Sequence, residues 1–351
     1  MNEQADIVFE RDAGLAIVTL NRPRALNALT YPMAQEMTRQ LEKWMSDPDV
    51  RVVMIRGAGE RGLCAGGDIR SIYDAANSGE MWPIRFWRDE YRLNRMISEY
   101  PKPVVALMHG IVMGGGIGVS AHASHRIVTE TTNIAMPEVG IGLIPDVGGT
   151  YLLSHAPGEL GTHLALTGGR IEATDAIALG FADYHIRAIE ANRVAGHLAK
   201  ARNRSDVEKI LVDFVTPAGD APLLRERSWI DQAYAVDEVE TICNRLRERS
   251  EPAAAEALKA IERNSPTSLK VTLRALRKAR AFGKLAPCFD MELSLVSHCF
   301  QSHDLKEGIR AAIIDKDRNP SWSPIRLEKV SRRAVDDFFV LPEVALGVLL
   351  T

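Results

Sequence analysis

The sequence predicts a mixed α/β protein, with strand–strand–helix units in its first half and a mainly helical second half. Three observations predict it. Short apolar runs bounded by glycine or charge recur early in the chain: LAIVTL at 15–20, RVVMIR at 51–56 and PVVALMH at 103–109. They have strand length and are too short for buried helices. Two glycine clusters, Ala65-Gly66-Gly67-Asp68-Ile69 and Met113-Gly114-Gly115-Gly116-Ile117-Gly118, each follow such a strand and lead toward a helix. After about residue 155 the apolar spacing becomes helical, with charges between. Strands and helices do not alternate one for one, so a doubly wound sheet fits poorly.

Taken in order, residues 6–10 and 15–20 read as strands around the turn Arg11-Asp12-Ala13-Gly14. NRPRALNALT is a loop, followed by a helix through about Ser46. Residues 51–56 form a buried strand ending at Gly57, 80–100 a helix rich in Trp, Tyr and Arg, and 103–109 another strand. A helix starts within 118–125, HRIVTE is a strand, and 135–137 a further short one. GELGTHLALTGGRIEATDAIALG reads as two helices around Gly168-Gly169, and DYHIR at 183–187 as a short extended exit. Charge-laced helices follow, with breaks near 215–222 and 264–266, a basic amphipathic helix over 267–280 and another over 285–302. A soft boundary near residue 200 gives a core over 1–200 and a helical region over 201–351. No low-complexity linker separates them, so they are expected to pack together.

Composition narrows the function classes. The 351 residues are 46% hydrophobic and 25% charged with a net charge of −3, which gives no argument for nucleic acid or an anionic membrane as partner. Cys64, Cys243, Cys288 and Cys299 form no CxxC, so a reduced, cytoplasmic protein with structural thiols is the plain reading. MNEQADIVFERDAG lacks the features of a signal peptide. The apolar window 104–121 approaches a membrane span in length but contains His109 and a glycine run, so a strand–turn–helix explains it better; the C-terminal VALGVLLT is too short to span.

Several motifs have bland readings. GAGERG at 57–62 matches G-x-G-x-x-G after a strand, but LCAGGDIR follows where a dinucleotide site needs a helix. There is no G-x-S-x-G. His122 and His125 have HxxH spacing, yet neither HExxH nor a cysteine pair supports a metal. The glycine clusters admit two readings. Backbone N–H groups can approach a ligand where no side chain intervenes, and two converging on one carbonyl oxygen, helped by helix dipoles, would make an oxyanion hole. The other reading is close helix–sheet packing.

The stretch AMPEVGIGLIPDVGGTYLLS, residues 135–154, sets Glu138 and Asp146 eight positions apart among apolar residues, Gly and Pro. A buried carboxylate is costly unless paired, hydrogen-bonded or protonated. Each acid follows a proline, which favours a turn or an element end. Both acids therefore belong on loops at the mouth of a packed region, where catalytic acids concentrate.

NRPRALNAL, LCAGGDIR, HGIVMGGGIGVS, MPEVGIGLIPDVGGT and LALTGGRIEATDAIALGFAD, in this order and spacing, resemble the enoyl-CoA hydratase/isomerase (crotonase) superfamily. GGDIR, FWRDEY, NSPTSLKVTLRAL and GIRAAIIDKDRNPSW narrow the resemblance to the superfamily's hydrolases of 3-hydroxyacyl-CoA thioesters, from about residue 6 to residue 328. That span includes a long C-terminal part which ordinary hydratases lack.

The resemblance implies a crotonase-like spiral of ββα units followed by a helical region. It implies an oxyanion hole from the N–H groups of Gly67 and Gly115, with Gly114, Gly118 and Glu90 in the substrate site. Glu90 has a bland alternative, a surface ion pair with Arg88 or Arg92. Hydratases usually carry a glutamate two residues after the three-glycine run; here that position is Gly118, which speaks against hydration. The family's other glutamate position is Glu138, and Asp146 stands where the hydrolases have aspartate. Glu138 would attack the thioester to form a mixed anhydride, or activate water. Asp146 would orient the substrate 3-hydroxyl or handle proton transfer. The implied CoA contacts are Arg24, Ala25 and Leu26 in one loop, Ala65, Asp68 and Ile69 in another, and Lys270 on the basic helix with Arg274 and Arg277. For the basic helix a solvated face is the rival reading.

The implied activity is hydrolysis of a branched 3-hydroxyacyl-CoA, 3-hydroxyisobutyryl-CoA of valine breakdown foremost. It needs no metal and no cofactor, CoA being part of the substrate. The rivals are an enoyl-CoA hydratase or isomerase and a non-catalytic binding protein, including RNA-binding relatives. The expected partner is the acyl-CoA, not nucleic acid or membrane; a homo-oligomer is left open.

Overall fold

The computed structural model describes residues 5–350. The strands are β1 (Ile7–Asp12), β2 (Leu15–Leu20), β3 (Val52–Gly57), β4 (Val104–Met108), β5 (Ile111–Met113), β6 (His125–Val128), β7 (Asn133–Ala135), β8 (Arg170–Glu172) and β9 (Tyr184–His185). The helices used below are α1 (Tyr31–Ser46), α2 (Ile69–Ser78), α3 (Trp82–Ser98), α4 (Gly115–Gly118), α5 (Gly149–His155), α6 (Leu160–Thr167), α7 (Ala191–Leu198), α8 (Arg204–Phe214), α9 (Pro266–Phe282) and α10 (Ala286–Gln301). The chain divides into two compact units interleaved in sequence. The first takes in the chain up to Gly67, then Asp89–Ile134 and Ile171–Pro222; the second takes in Asp68–Arg88, Ala135–Arg170 and the chain from Leu223.

The first unit carries a six-stranded sheet of order β1-β2-β3-β4-β6-β9. β1 pairs antiparallel with β2, and every other pairing is parallel. β2 and β4 are buried at every position, which is why they read as unbroken apolar runs; only strands covered on both faces have that pattern. Alternate residues Leu15, Ile17, Val52, Met54, Val105 and Leu107 share one face and pack with Val194, Leu198, Val207 and Leu211 of α7 and α8. β5, β7 and β8 form a separate three-stranded sheet.

The second unit is mainly helical. α9 starts at Pro266, with Ser265 as N-cap accepting from the Ser268 N–H, and stops at Gly283 in the left-handed region. It buries Leu269, Val271, Leu273, Leu276 and Ala279 and packs on α5, α6 and α10.

The expected strands at both ends of Arg11–Gly14, at 51–56 and at 103–109 are present within a residue or two. The helix expected within 118–125 is instead the single turn α4, which begins earlier, on the glycines themselves. The Ser120 hydroxyl donates to the Gly116 carbonyl at 2.6 Å, and Ser120 N–H turns to the Ile117 carbonyl, so the turn tightens and stops. Between the two helices expected around Gly168-Gly169 the chain inserts β8. Among the described residues no helix is long and apolar enough to cross a membrane. The last stretch is a helix, Glu343–Leu350, with Thr351 outside the described residues, as are residues 1–4 of the N-terminal segment.

Candidate active site

In the first unit, the loop before α1 is folded onto the strand-end loop that follows β3. Leu26 and Asn27 both lie in the left-handed region, with φ of 52° and 55°. Asn27 holds them there: its side-chain amide donates to the Ala58 and Gly62 carbonyls at 3.0 and 2.9 Å, and its Oδ1 accepts from the Arg22 N–H at 2.9 Å. The Ala65 N–H then donates to the Leu26 carbonyl at 3.0 Å, and Leu29 N–H to the Gly66 carbonyl at 2.8 Å. So Leu26 and Ala65, two of the expected CoA contacts, are brought together. Arg24 and Ala25 are exposed beside them in the short helix Pro23–Ala25.

The two glycine clusters meet. A Cβ on Gly115 would stand 3.4 Å from the Gly67 nitrogen and 2.6 Å from Glu90 Oε1, so bare backbone at Gly115 is what admits both neighbours. Among the described residues neither the Gly67 N–H nor the Gly115 N–H has an acceptor. Two amides of this kind are donors in search of an oxyanion. Gly114 enters the turn with φ 46° and ψ −122°, a backbone open to glycine alone. Gly118 ends α4 and is buried. One helical turn has little macrodipole, so the expected help from a helix dipole at Gly115 is small. Glu90 is buried on α3, 2% exposed. Asn94, one turn on, donates through its side-chain amide to the Gly118 carbonyl at 3.1 Å and the Glu90 carbonyl at 3.3 Å. It ties α4 to α3, and nothing in its local sequence signals that role.

In the second unit, Glu138 opens a short 3₁₀ helix, Glu138–Ile141, with Pro137 as its cap. Asp146 sits on the loop before α5, and its carbonyl accepts from the Gly149 N–H at 2.7 Å. Both acids are buried, 6% and 4% exposed, not at an open mouth. A Cβ on Gly149 would fall 2.4 Å from the flexible end of the Met136 side chain, which places Met136 against the start of α5. Burial first, and then the nearby Asp146 charge, pushes the Glu138 carboxyl well above the ordinary glutamate value. Among the described residues Glu138 Oε2 has no hydrogen-bond partner. A buried, half-satisfied carboxyl beside a second acid is poised to take a proton or attack a carbon.

The sequence did not single out Glu292. It lies on α10, fully buried, and accepts from the Gly148 N–H at 2.7 Å and the Thr150 N–H at 3.0 Å. Burial raises its carboxyl to about 8 against the lowering effect of the Thr150 and Gly148 bonds. The signal available in sequence was a second acid, two residues after Asp290, in the mainly apolar stretch CFDMELSLV.

The remaining expected contacts all fall in the second unit. Asp68 caps α2, accepting from the Ser71 N–H, and Ile69 is the first residue of that helix. Lys270 pairs with Glu240 at 2.5 Å and donates to the Val330 carbonyl at 3.1 Å. Arg274 bonds Asp336, and Arg277 bonds Glu159 and Asp237. These three cations line a cavity of about 650 Å³ together with Arg332, Asp237, Glu238 and Glu240, so its walls carry both signs. His125 Nδ1 lies 2.9 Å from the Ser124 hydroxyl, and among the described residues no group of three or more His, Cys, Asp or Glu is placed to hold a metal ion.

Comparison with known proteins adds the following. The family described as enoyl-CoA hydratase/isomerase matches residues 15–339. Curated proteins named 3-hydroxyisobutyryl-CoA hydrolase, mitochondrial, are similar along nearly the whole chain. The Gallus gallus protein is 39% identical over 95% of this chain and 89% of its own, and the Homo sapiens protein 37% over 95% and 88%. Among solved structures, a carnitinyl-CoA dehydratase from Mycobacterium thermoresistibile superposes with a TM-score of 0.90 at 44% identity, covering 96% of this chain and 97% of its own. An enoyl-CoA hydratase from Rhodobacter sphaeroides 2.4.1 does so with 0.89 at 39%, covering 97% and 99%. The curated names and the structure names thus point to different reactions on CoA thioesters.

Proposed function

The chain belongs to the enoyl-CoA hydratase/isomerase family and has its crotonase-like α/β fold with a helical C-terminal region, and on that premise we propose that it is an acyl-CoA thioester hydrolase acting on 3-hydroxyisobutyryl-CoA or a related 3-hydroxyacyl-CoA. One observation carries the choice of hydrolysis over hydration: the acids are Glu138 and Asp146, a buried pair with an unsatisfied Glu138 oxygen, while Gly118 leaves no second glutamate after the three-glycine run. The likeness to the curated hydrolases over 95% of the chain supports the same choice and suggests the acyl group.

The chemistry we propose is acyl transfer to water. The thioester carbonyl oxygen accepts from the Gly67 and Gly115 N–H groups, which stabilise the negative charge that develops as the carbon becomes tetrahedral. Ionised Glu138 either takes a proton from a water that attacks this carbon, or attacks it itself to give a mixed anhydride that water then opens. Collapse of the tetrahedral species breaks the C–S bond, and the CoA thiolate leaves and is protonated. Asp146 orients the substrate 3-hydroxyl or passes the proton. Glu90, Gly114 and Gly118 line the acyl end; Arg24, Ala25, Leu26, Ala65, Asp68, Ile69 and Lys270 are the proposed CoA contacts. The scheme uses neither metal nor cofactor, so activity should survive EDTA. For location we propose a reducing compartment such as the cytoplasm, on the support of four buried, unbridged thiols.

The test follows CoA thiol release with a thiol-reactive dye on 3-hydroxyisobutyryl-CoA, with the absorbance of crotonyl-CoA watched in parallel. The proposal expects fast thiol release and a stable crotonyl-CoA signal. Loss of crotonyl-CoA absorbance without thiol release would make the protein a hydratase. Silence in both assays, with RNA retarded in a gel, would favour a binding protein.

A further inference from the structure

We propose that Glu292 is a positioning residue for Asp146, holding from a distant helix the strained turn that aims the Asp146 carboxyl. The inference rests on the reading of Asp146 as a working acid. Directly after Asp146 the chain takes two consecutive left-handed residues, Val147 with φ 54° and Gly148 with φ 78°. Glycine adopts that region freely, but a β-branched valine does not, and it stays there only where its surroundings impose it. α5 begins at the next residue, and its N-cap, Gly148, has no side chain to satisfy the free amides of the first turn.

Glu292 supplies what the local sequence lacks. Its Oε2 accepts from the Gly148 N–H at 2.7 Å; its Oε1 accepts from the Thr150 N–H at 3.0 Å and lies 2.5 Å from the Thr150 hydroxyl. The two oxygens of one planar, buried carboxyl thus grip residues 148 and 150 together, which fixes the backbone direction between them and leaves Val147 no room to relax. The grip is two residues from Asp146, and the Asp146 carbonyl is itself tied to the Gly149 N–H. If the grip loosens, Val147 can return to an ordinary conformation and the Asp146 side chain swings with it. A displacement of about 1 Å at a reacting group costs on the order of 10²-fold in rate.

The experiment compares E292Q, T150V, T150S and D146N with wild type, each first shown to be folded by its thermal melt. Glutamine keeps the shape but puts an NH₂ against one of the N–H donors. E292Q is expected to lose ~10²-fold in kcat with KM within about threefold, a split that general loosening of the fold would not give. T150V, which removes only the hydroxyl arm, should lose about tenfold in kcat, and T150S should restore it. Amide exchange at 147–150 should quicken in E292Q. A folded E292Q with wild-type kcat, or one whose loss lies in KM, overturns the proposal. If E292Q does not fold, the Thr150 pair decides, and equal kcat for T150V and T150S overturns it. D146N separates the two readings. Wild-type rate in D146N would sink the role of Asp146 itself. A slow D146N beside a fast E292Q would sink only the positioning.

Discussion

At the scale of single residues, protonation states decide what the protein can do. Glu138 is held above the usual glutamate range chiefly by burial and then by Asp146. Both proposed roles for it require the ionised form. Activity on 3-hydroxyisobutyryl-CoA should therefore rise with pH through a limb whose midpoint lies above the ordinary 4.5, and a profile flat across that range would contradict the assignment. The thiols behave oppositely to a nucleophile. Burial pushes Cys64 up to about 12, with Glu90 adding to it, and Cys288 to about 12. All four cysteines are buried. The native protein should leave a thiol-reactive dye unreacted over the minutes of an assay, whereas a denatured sample reacts at all four; rapid labelling of the native form would count against the packing described.

At the scale of elements, close approach is bought with glycine. A Cβ on Gly116 would lie 2.3 Å from the Cys64 carbonyl oxygen, a backbone atom that cannot swing away. G116A should force α4 off its neighbour and destabilise by about 1–3 kcal/mol, read as a lowered Tm. Gly196 is the contrast: it lies within α7, exposed, with nothing within 4 Å of its Cβ position and no unusual φ. G196A should raise stability by up to about 1 kcal/mol. An unchanged Tm for G116A would mean that the turn at Gly115–Gly118 is not packed as described. What was legible in sequence follows the same physics. Apolar runs such as LAIVTL announced buried strands because burial on two faces leaves no polar positions. The prolines before Glu138 and Asp146 marked their turns, and the clusters around Gly67 and Gly115 announced a close approach. The depth of the two acids and the end of α4 did not show, since they depend on contacts such as Ser120 to Gly116. Glu292 was out of reach for a plainer reason: its partner Gly148 is 144 positions away, and only the folded chain sets them side by side.

At the scale of the whole molecule, the buried carboxyls make stability depend on pH. Glu138 and Glu292 both have folded values raised above 4.5, the latter to about 8. Between about 4.5 and about 8 native Glu292 holds a proton that the unfolded chain has lost, so its contribution is fully present below about 4.5 and fades as pH climbs toward about 8. The Tm of wild type measured against E292Q should therefore fall as pH rises through that window. A gap independent of pH would mean that Glu292 is not shifted upward. The central claim is that a carboxylate, not a thiol or a hydroxyl, opens the thioester. It is tested most directly by CoA release from 3-hydroxyisobutyryl-CoA in wild type and in E138Q, at saturating substrate and with both proteins shown to be folded. The account predicts steady release by wild type and a loss of ~10²–10⁴-fold in E138Q. Release by E138Q at the wild-type rate would contradict it.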